Sequence, residues 1–195
     1  MKKTYLSIII PAYNEEKNIR LGALDKVVRY LDSQSYEWEA IVVDDGSTDG
    51  TISLIEEFVE NNTHFRLIKN LHQGKAMTVI TGIFAATGEL VLFTDLDQAT
   101  PLKESEKILP WFDKGYDVVI GSRQGKREGA PLLRRIMARG FMGLRTLVLG
   151  LKGISDTQCG FKAFKRDVAH NIFKKLSLYG EQKKVTGAMV TAGFD

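Results

Sequence analysis

The sequence predicts an α/β fold, in which a mostly parallel central sheet lies between two layers of helices. Short apolar runs alternate along the chain with longer segments whose apolar residues have helical spacing. Most of the short runs end in a turn rich in Asp, Gly, Ser or Asn. The chain has 195 residues and 44% apolar side chains, which is the size and composition of a single globular domain.

The predicted strands are apolar runs of the kind found in sheets whose two faces are both covered. Pro11 closes the first run, because proline cannot donate a backbone N–H to a neighbouring strand. An acidic, glycine-containing turn that starts at Asp44 stops the second run. The predicted strands are Tyr5–Ile10, Glu39–Val43, Phe65–Lys69, Leu90–Thr94 and Asp117–Ile120.

Helices are predicted between these strands. Thr48 or Asp49 has the side chain of a helix cap, and Gly88 stands just after the end of another helical segment. The predicted helices are Glu15–Leu31, the segment from the cap to about Glu60, Lys75–Ala86 and Leu102–Asp113. This alternation favours a parallel sheet, since parallel neighbours need a crossover connection.

Polar side chains follow the predicted strands at the points where the strands end. In an open parallel sheet, ligands bind in the crevice beyond the carboxyl ends of the strands. We therefore expect acidic side chains and an arginine from distant parts of the sequence to meet at one rim of the sheet. The residues concerned are Tyr13, Asn14, Glu15, Asp44, Asp45, Asp95, Asp97, Ser122 and Arg123.

Asp95 and Asp97 are the strongest candidates for a metal site. In extended backbone, alternate residues point the same way, so the two carboxylates can approach one cation. Hard divalent cations prefer carboxylate oxygens, and Mg²⁺ takes one or two carboxylates together with the phosphates of a substrate. A solvated turn or a helix cap is the alternative interpretation of the same two residues.

The segment from Asp45 to Glu56 nearly matches a calcium-binding EF-hand loop. An EF-hand requires a helix before its loop, whereas a strand is predicted over Glu39–Val43. We therefore favour an acidic turn at a strand end that contacts a ribose or the edge of a base. Asp49 is interpreted as a helix cap, and a calcium-binding module stays as an alternative.

The composition of the chain and the absence of certain motifs argue against several other classes of protein. The chain carries 27 basic and 24 acidic side chains, a net charge of +3, which does not favour nucleic-acid binding. It contains neither of the glycine-rich motifs that bind dinucleotides or nucleoside triphosphates. The single cysteine, Cys159, is predicted to be a buried residue in a protein of a reducing compartment. His64, His72 and His170 lack metal-ligand spacing, so we predict surface or packing roles for them.

Residues 131–151 differ in character from the first half of the chain. Apolar residues such as Ile136, Phe141 and Leu144 fall near one helical face, which arginines interrupt. A basic amphipathic helix of this kind can lie in a membrane interface. We favour this interpretation over a core helix with a solvated basic edge.

Motifs spread over nearly the whole chain are similar to those of family 2 glycosyltransferases, whose fold is named GT-A. These motifs are SIIIPAYNEEKNI, VVDDGSTDGT, HQGKAMTVITGIFAATGELVLFTDLDQATP, VVIGSR and DTQCGFKAF. The last two resemble the branch that acts on polyprenyl phosphates, which includes dolichyl-phosphate glucose and mannose synthases. Each motif alone is a weak signal, whereas the combination is highly specific.

The resemblance implies a single Rossmann-like GT-A catalytic domain over residues 1–195, truncated at its C-terminus because relatives continue past this point. It implies an inverting enzyme that moves a hexose, by preference glucose, from a nucleotide diphosphate sugar such as UDP-glucose to a polyprenyl or dolichyl phosphate. Mg²⁺ or Mn²⁺ is the implied cofactor. The implied place is the cytoplasmic face of a membrane, to which the chain is peripheral or anchored, and a homo-oligomer is compatible with it.

Carried over residue by residue, the resemblance implies a role for each matching side chain. The nucleotide-sugar pocket comprises Pro11, Tyr13, Asn14, Glu15, Asp44, Asp45, Lys75, Asp95 and Gln98. The metal ligands are Asp95 and Asp97. The catalytic groups are Asp97, Arg123, which contacts phosphate, and Asp156, the candidate for a general base. The acceptor phosphate is attracted by Arg127, Arg134, Arg135, Arg139 and Lys162.

One residue departs from the family pattern, and two alternative functions stay open. Ala76 stands where relatives often carry a second glycine, which predicts a looser loop at this point. One alternative is a soluble family 2 glycosyltransferase that acts on a hydroxyl group of a glycan. The other is a non-catalytic module that binds a nucleotide sugar.

Overall fold

The computed structural model describes residues 3–123, 159–177 and 189–194. The strands are β1 (Leu6–Ala12), β2 (Trp38–Asp44), β3 (Phe65–Lys69), β4 (Leu90–Phe93), β5 (Val118–Arg123), β6 (Lys162–Lys165) and β7 (Met189–Phe194). The helices are α1 (Glu16–Arg20), α2 (Ala23–Leu31), α3 (Thr51–Glu60), α4 (Lys75–Ala85), α5 (Ser105–Ile108), α6 (Pro110–Asp113) and α7 (Arg166–Ser177). A 3₁₀ turn, Leu102–Glu104, precedes α5.

The described strands form a seven-stranded sheet in the order β3-β2-β1-β4-β6-β5-β7. β1 pairs in parallel with β2 and with β4, β2 pairs in parallel with β3, and β5 with β7. Among these strands, β6 runs antiparallel to both of its neighbours, β4 and β5. The predicted α/β fold with a mostly parallel sheet is confirmed.

Both faces of the sheet are buried under helices. Successive residues of a strand point to opposite faces, so Ile8 and Ile10 of β1 belong to one core and Ile9 belongs to another. The first core includes buried residues of α2 and α3, and the second includes buried residues of α4 and α7. This three-layer arrangement explains why the central strands are apolar on both faces instead of alternating.

Two segments that the sequence predicts as single helices are divided into shorter elements in the structure. Glu15–Leu31 divides into α1 and α2 at Gly22, whose φ of 76° lies in the left-handed region and cannot continue a right-handed helix. Leu102–Asp113 divides into the 3₁₀ turn, α5 and α6. Pro110 begins α6 and has no N–H to donate to the preceding turn.

A switch in strand order lies between β1 and β4. The chain builds β1, β2 and β3 outward to one side and then returns to place β4 on the other side of β1. Ala12 of β1 lies opposite Asp44 of β2, and Ile9 lies opposite Phe93 of β4. The segments that follow these strands therefore begin at the same edge, where such a switch opens a crevice for ligands.

The membrane prediction concerns a part of the chain that the structure does not describe. Residues 131–151, predicted as an interfacial helix, lie outside the described residues. None of the helices in the described ranges is both long enough and apolar enough to cross a membrane.

The side chain of Glu39 joins neighbouring segments at the edge of the sheet where the strands begin. This edge is opposite the one at which β1, β2 and β4 end. Oε1 of Glu39 accepts hydrogen bonds from the hydroxyl of Ser7 (2.6 Å) and from the N–H and hydroxyl of Thr87 (2.7 and 2.8 Å). Its Oε2 accepts a hydrogen bond from Arg66 (2.9 Å), and the side chain is 13% exposed. Burial opposes ionisation, but the hydrogen bonds from Ser7 and Thr87 outweigh it and hold the pKa of Glu39 below its ordinary range.

We predict that Glu39→Gln lowers the free energy of unfolding at neutral pH by about 1–3 kcal/mol, because an amide group replaces an acceptor that several donors share. A carboxyl with a lowered folded pKa stabilises the fold above the ordinary glutamate pKa of about 4.3, and this stabilisation disappears as the pH falls through the folded pKa. Denaturant unfolding at neutral pH and in acid should show the variant and the wild type converging in acid.

Glu60→Gln is the matched control, since it changes an exposed carboxylate on α3. It should unfold like the wild type at both pH values. A Glu39→Gln variant that differs from the wild type by the same amount in acid as at neutral pH would contradict the role given to Glu39.

Candidate functional site

A cleft of about 290 Å³ opens at the carboxyl ends of β1, β2 and β4. Its walls come from the loops after β1 and β2, the segment that leads into α4, and the turn after β4. The structure therefore brings together polar strand ends from distant parts of the sequence. The lining residues are Pro11, Ala12, Tyr13, Glu15, Asp45, His72, Gly74, Lys75, Thr78, Asp95, Leu96 and Asp97.

Hydrogen bonds join the loop after β1 to the loop after β2. The N–H of Asn14 donates to the hydroxyl of Ser47 (2.9 Å), and the N–H of Thr48 donates to the side-chain oxygen of Asn14 (2.9 Å). The N–H of Glu15 donates to the hydroxyl of Thr51 (2.7 Å). Asn14 has a φ of 52°, which asparagine tolerates better than most residues, and it lines a neighbouring depression instead of the cleft. Its role in the structure is to hold the two loops together.

Asp44, the last residue of β2, is fully buried and is not among the residues that line the cleft. Its Oδ2 accepts hydrogen bonds from the N–H groups of Gly46 (2.9 Å) and Ser47 (3.0 Å). Its Oδ1 has no hydrogen-bond partner within the described part of the chain. A buried acceptor without a partner costs about 1–3 kcal/mol, so this atom marks a point where a donor group of a ligand would be stabilising.

Asp45 forms part of the cleft wall and ties β2 to the segment before α4. Its Oδ1 accepts the N–H of Gln73 and its Oδ2 accepts the N–H of Gly74, both at 2.9 Å. The residue is 3% exposed. This burial opposes ionisation, but hydrogen bonds from Gln73, Thr78 and Gly74 outweigh it and keep the pKa of Asp45 below its ordinary range. Asp45 therefore carries a negative charge at neutral pH.

Tyr13 and His72 form a stacked pair of rings on the cleft wall. Their ring centroids lie 4.5 Å apart with an interplanar angle of 29°. Nδ1 of His72 lies 3.0 Å from both the carbonyl oxygen and Oδ2 of Asp45, so the end of β2 holds the imidazole in place. Tyr13 is 45% exposed, which leaves aromatic surface for stacking against a planar ligand.

Asp95 and Asp97 follow β4, and both line the cleft. Oδ1 of Asp95 is in direct contact with the ammonium group of Lys75, the first residue of α4. Oδ1 of Asp97 accepts the N–H of Ala99 (2.9 Å), and Asp97 is exposed. Two carboxylates in one cleft form a hard oxygen donor set that fits Mg²⁺ or Mn²⁺. The described ranges contain no cluster of three or more His, Cys, Asp or Glu side chains that could hold a metal ion.

Three further residues that the sequence predicts for the site lie shortly after β4, at the end of β5 and at the start of β6. Gln98 has a φ of 54° and donates its side-chain amide (3.1 Å) and its backbone N–H (3.2 Å) to the carbonyl of Asp95. Lys162 donates to the carbonyl of Cys159 (2.6 Å), and its ammonium lies 5.1 Å from the ring centroid of Phe93. Arg123 is the last residue of β5. The predicted residues that lie outside the described ranges are Arg127, Arg134, Arg135, Arg139 and Asp156.

The segment Asp45–Glu56 does not have the geometry of an EF-hand. A strand, β2, leads into it, whereas an EF-hand has a helix at that point. Glu56 pairs with Lys69 of β3 (Oε1–Nζ 2.5 Å). Asp49 accepts the N–H of Thr51, the first residue of α3, at 3.0 Å, but the N-cap position of α3 is occupied by Gly50, so the prediction that Asp49 is the cap is wrong by one residue.

Sequence reasoning did not include His72 or Thr78 among the site residues. The one signal for His72 is its position directly before the Gln-Gly-Lys turn that ends at Lys75. The prediction that Cys159 is buried is confirmed. Gly160, which lies against Asp95, falls within the motif DTQCGFKAF, but the motif alone gives no role for it, because its position depends on the pairing of β6 with β4.

Comparison with known proteins gives a family and a set of curated relatives. The model of the glycosyl transferase family 2 matches residues 7–173. A dolichyl-phosphate β-glucosyltransferase of Trichomonas vaginalis is 37% identical over 187 residues, which cover 88% of this chain and 55% of that protein. The human dolichyl-phosphate β-glucosyltransferase is 34% identical, over 88% of this chain and 58% of its own length. The chain thus spans just over half the length of these relatives.

Comparison with solved structures supports the fold. Glucosyl-3-phosphoglycerate synthase from Mycobacterium tuberculosis, in complex with Mn²⁺, UDP and glucosyl-3-phosphoglycerate, matches with a TM-score of 0.61. The match covers 98% of this chain and 70% of that one, at 21% identity. A likeness at this level of identity shows that the two chains share a fold.

We predict that Lys75→Met tightens the binding of Mn²⁺ in the absence of nucleotide, because the ammonium group no longer neutralises Asp95. Lys75 is 58% exposed, so solvent screens the pair and limits the gain to about 1 kcal/mol, or roughly fivefold in affinity. Electron paramagnetic resonance of free Mn²⁺ during a titration measures this affinity.

Lys69→Met is the matched control, since Lys69 is 51% exposed and pairs with Glu56 away from the cleft. Its Mn²⁺ affinity should equal that of the wild type. Weaker binding by the Lys75 variant, or an equal gain in both variants, would show that Lys75 does not compete with a cation at Asp95.

Proposed function

The chain belongs to glycosyl transferase family 2, and we propose that it is the donor-binding part of an inverting glucosyltransferase whose acceptor is a lipid phosphate. The proposed donor is a nucleotide diphosphate sugar, by preference UDP-glucose, and the proposed acceptor is dolichyl or another polyprenyl phosphate, as the names of the curated relatives suggest. The observation that carries the proposal is the cleft, where an aromatic pair and a carboxylate pair meet at the switch in strand order.

The nucleotide is proposed to bind on the side of the cleft formed by β1 and β2. Tyr13, whose ring stacks on that of His72, offers an aromatic surface on which a base can stack. The buried Oδ1 of Asp44, which has no partner within the described residues, is proposed to accept a hydrogen bond from a donor group of the base or ribose. The hydrogen bonds that join the loops after β1 and β2 order these groups in advance, so less conformational entropy is lost when the ligand binds.

The diphosphate is proposed to lie over the end of β4, with Asp95 and Asp97 as the ligands of Mg²⁺ or Mn²⁺. When bound, the cation neutralises the negative charge that develops on the diphosphate leaving group. Lys75, whose ammonium contacts Asp95, adds positive charge beside the two carboxylates, and the amino end of α4 adds positive potential. Arg123, at the end of β5, is proposed to contact a phosphate oxygen.

The acceptor is proposed to be a phosphate because transfer to a phosphate does not require a strong general base. The second pKa of a phosphate monoester is about 6, so its oxygen is largely ionised at neutral pH and can attack the anomeric carbon without a strong general base. Asp156 is the candidate base if one is needed. The side chains proposed to attract the acceptor are Arg127, Arg134, Arg135, Arg139 and Lys162. Basic residues near an anionic membrane surface contribute about 1 kcal/mol each, which supports a place at the cytoplasmic face of a membrane.

We predict that UDP-glucose together with Mn²⁺ raises the melting temperature of the chain more than other nucleotide sugars do. A ligand at 100 times its Kd stabilises a fold by about 2.7 kcal/mol. Asp97→Asn keeps the size of the side chain but removes a charged oxygen ligand, so it should lose most of the metal-dependent part of the shift. A thermal-shift screen of nucleotide sugars, with and without metal, measures both effects. The donor assignment is wrong if none of the nucleotide sugars changes the melting temperature.

We predict transfer of labelled glucose from UDP-glucose to a short polyprenyl phosphate, with a product that partitions into organic solvent. Asp97→Asn should lower the rate by roughly a hundredfold or more, since it removes stabilisation of the developing charge. Transfer to a soluble glycan alone would favour a family member that acts on a hydroxyl group. Donor binding without transfer to either acceptor would favour a non-catalytic module.

A further inference from the structure

Gly160 lies directly against the carboxylate of Asp95. A Cβ atom at Gly160 would stand 2.3 Å from Oδ2, 2.8 Å from Cγ and 2.9 Å from Oδ1 of Asp95. Real Cβ atoms essentially never approach another heavy atom to less than 3.0 Å. The space that a side chain of residue 160 would need is therefore filled by the carboxylate.

The backbone conformation of Gly160 does not itself require glycine. Its φ is not among the positive φ values of the described glycines, which are those of Gly22, Gly46, Gly74 and Gly115. An alanine at this position would meet no left-handed strain. The steric constraint at Gly160 is thus the carboxylate of Asp95 and not the backbone conformation of the glycine.

The backbone around Gly160 is fixed, so it cannot retreat from Asp95. Cys159 and Phe161, on either side, are both fully buried. The carbonyl of Phe161 accepts the N–H of Gly121 (2.9 Å), and the carbonyl of Cys159 accepts the ammonium of Lys162 (2.6 Å). Lys162 is also paired with Phe93, two residues before Asp95. The antiparallel strand β6 therefore holds Gly160 in register with the end of β4.

The part of this contact that can move is the carboxylate of Asp95. A carboxyl group at the end of a side chain rotates at less cost than a backbone segment that buried neighbours and hydrogen bonds hold. Oδ1 of Asp95 contacts Lys75, and Gly160 limits the space on the side of Oδ2. A methyl group at residue 160 would turn the carboxylate away from its present direction.

We infer that Gly160 is a positioning residue, which fixes the direction in which Asp95 presents its carboxylate to the metal ion of the donor complex. The inference rests on the proposed function, in which Asp95 is a metal ligand. Residues that orient metal ligands typically contribute tenfold to a hundredfold to metal affinity. A change at Gly160 should thus weaken metal binding much more than it weakens the fold.

The test compares Gly160→Ala with Gly82→Ala in the full chain. A Cβ at Gly82 of α4 would stand 2.3 Å from Cγ2 of Ile9, which is the same clearance, but in the apolar core. For each protein, electron paramagnetic resonance gives the Kd for Mn²⁺, calorimetry gives the Kd for UDP with and without Mn²⁺, and thermal unfolding gives the melting temperature. We expect Gly160→Ala to weaken Mn²⁺ binding roughly tenfold or more and to leave metal-free UDP binding within about twofold of the wild type.

We expect Gly82→Ala to lower the melting temperature and to leave the Mn²⁺ affinity unchanged. An unchanged Mn²⁺ affinity in Gly160→Ala, or an equal loss in both variants, overturns the inference. A wild type that binds Mn²⁺ but not UDP would refute the proposed donor and would still let the Mn²⁺ comparison decide on Gly160. A wild type that binds no Mn²⁺ overturns both.

A second pair of variants tests the contact itself, whether or not Gly160→Ala folds well. In a chain that carries Asp95→Ala, the carboxylate that the new methyl group would meet is gone. Gly160→Ala should then lower the remaining Mn²⁺ affinity, measured with UDP present, much less than it does in the wild-type background. An equal loss in the two backgrounds would mean that Gly160 does not act through Asp95, and it would overturn the inference.

Discussion

The parallel pairing of β1 with β2 on one side and with β4 on the other is the constraint on which the site depends. Parallel neighbours end at the same edge, so Ala12, Asp44 and Phe93 bring three distant segments of sequence to one rim. The buried, apolar faces of these strands hold that register, since a slip by one residue would turn the core residues of a strand toward the wrong face. The cleft is thus a consequence of how the hydrophobic cores are packed.

Backbone N–H groups, more than cationic side chains, hold the acidic residues of the rim. Asp44 accepts from Gly46 and Ser47, and Asp45 accepts from the segment that leads into α4. Hydrogen bonds from N–H groups fix the direction of both carboxylates. At Asp45 they outweigh the effect of burial and hold the pKa below its ordinary range. Asp95 differs, because it contacts the exposed ammonium of Lys75. The ammonium of Lys75 can therefore move away from Asp95 when a cation and an anionic ligand bind, while the backbone hydrogen bonds keep Asp44 and Asp45 in place.

Sequence patterns predicted what is local and missed what depends on tertiary contact. The central strands were predictable because each is a continuous apolar run, and Asp45, Asp95 and Asp97 were predictable because they follow such runs. The break at Gly22 was not, since one glycine in an amphipathic segment does not reveal a left-handed φ. Strand β6 is four residues long and pairs antiparallel with strands that precede it by more than 35 residues. Its register, and with it the contact of Gly160 with Asp95, cannot be read from local pattern.

In the proposed donor complex, side chains from separate strand ends meet around one metal-bridged diphosphate. Paramagnetic broadening of backbone amide signals by Mn²⁺ in the presence of UDP tests this arrangement most directly, because the effect falls steeply with distance from the ion. We expect strong broadening at Gly74, Leu96 and Gly160, and sharp signals at Thr87 and Gly88, which lie with Ser7 at the opposite edge of the sheet. Broadening centred on Thr87 and Gly88, or none at Gly74 and Leu96, would contradict this arrangement.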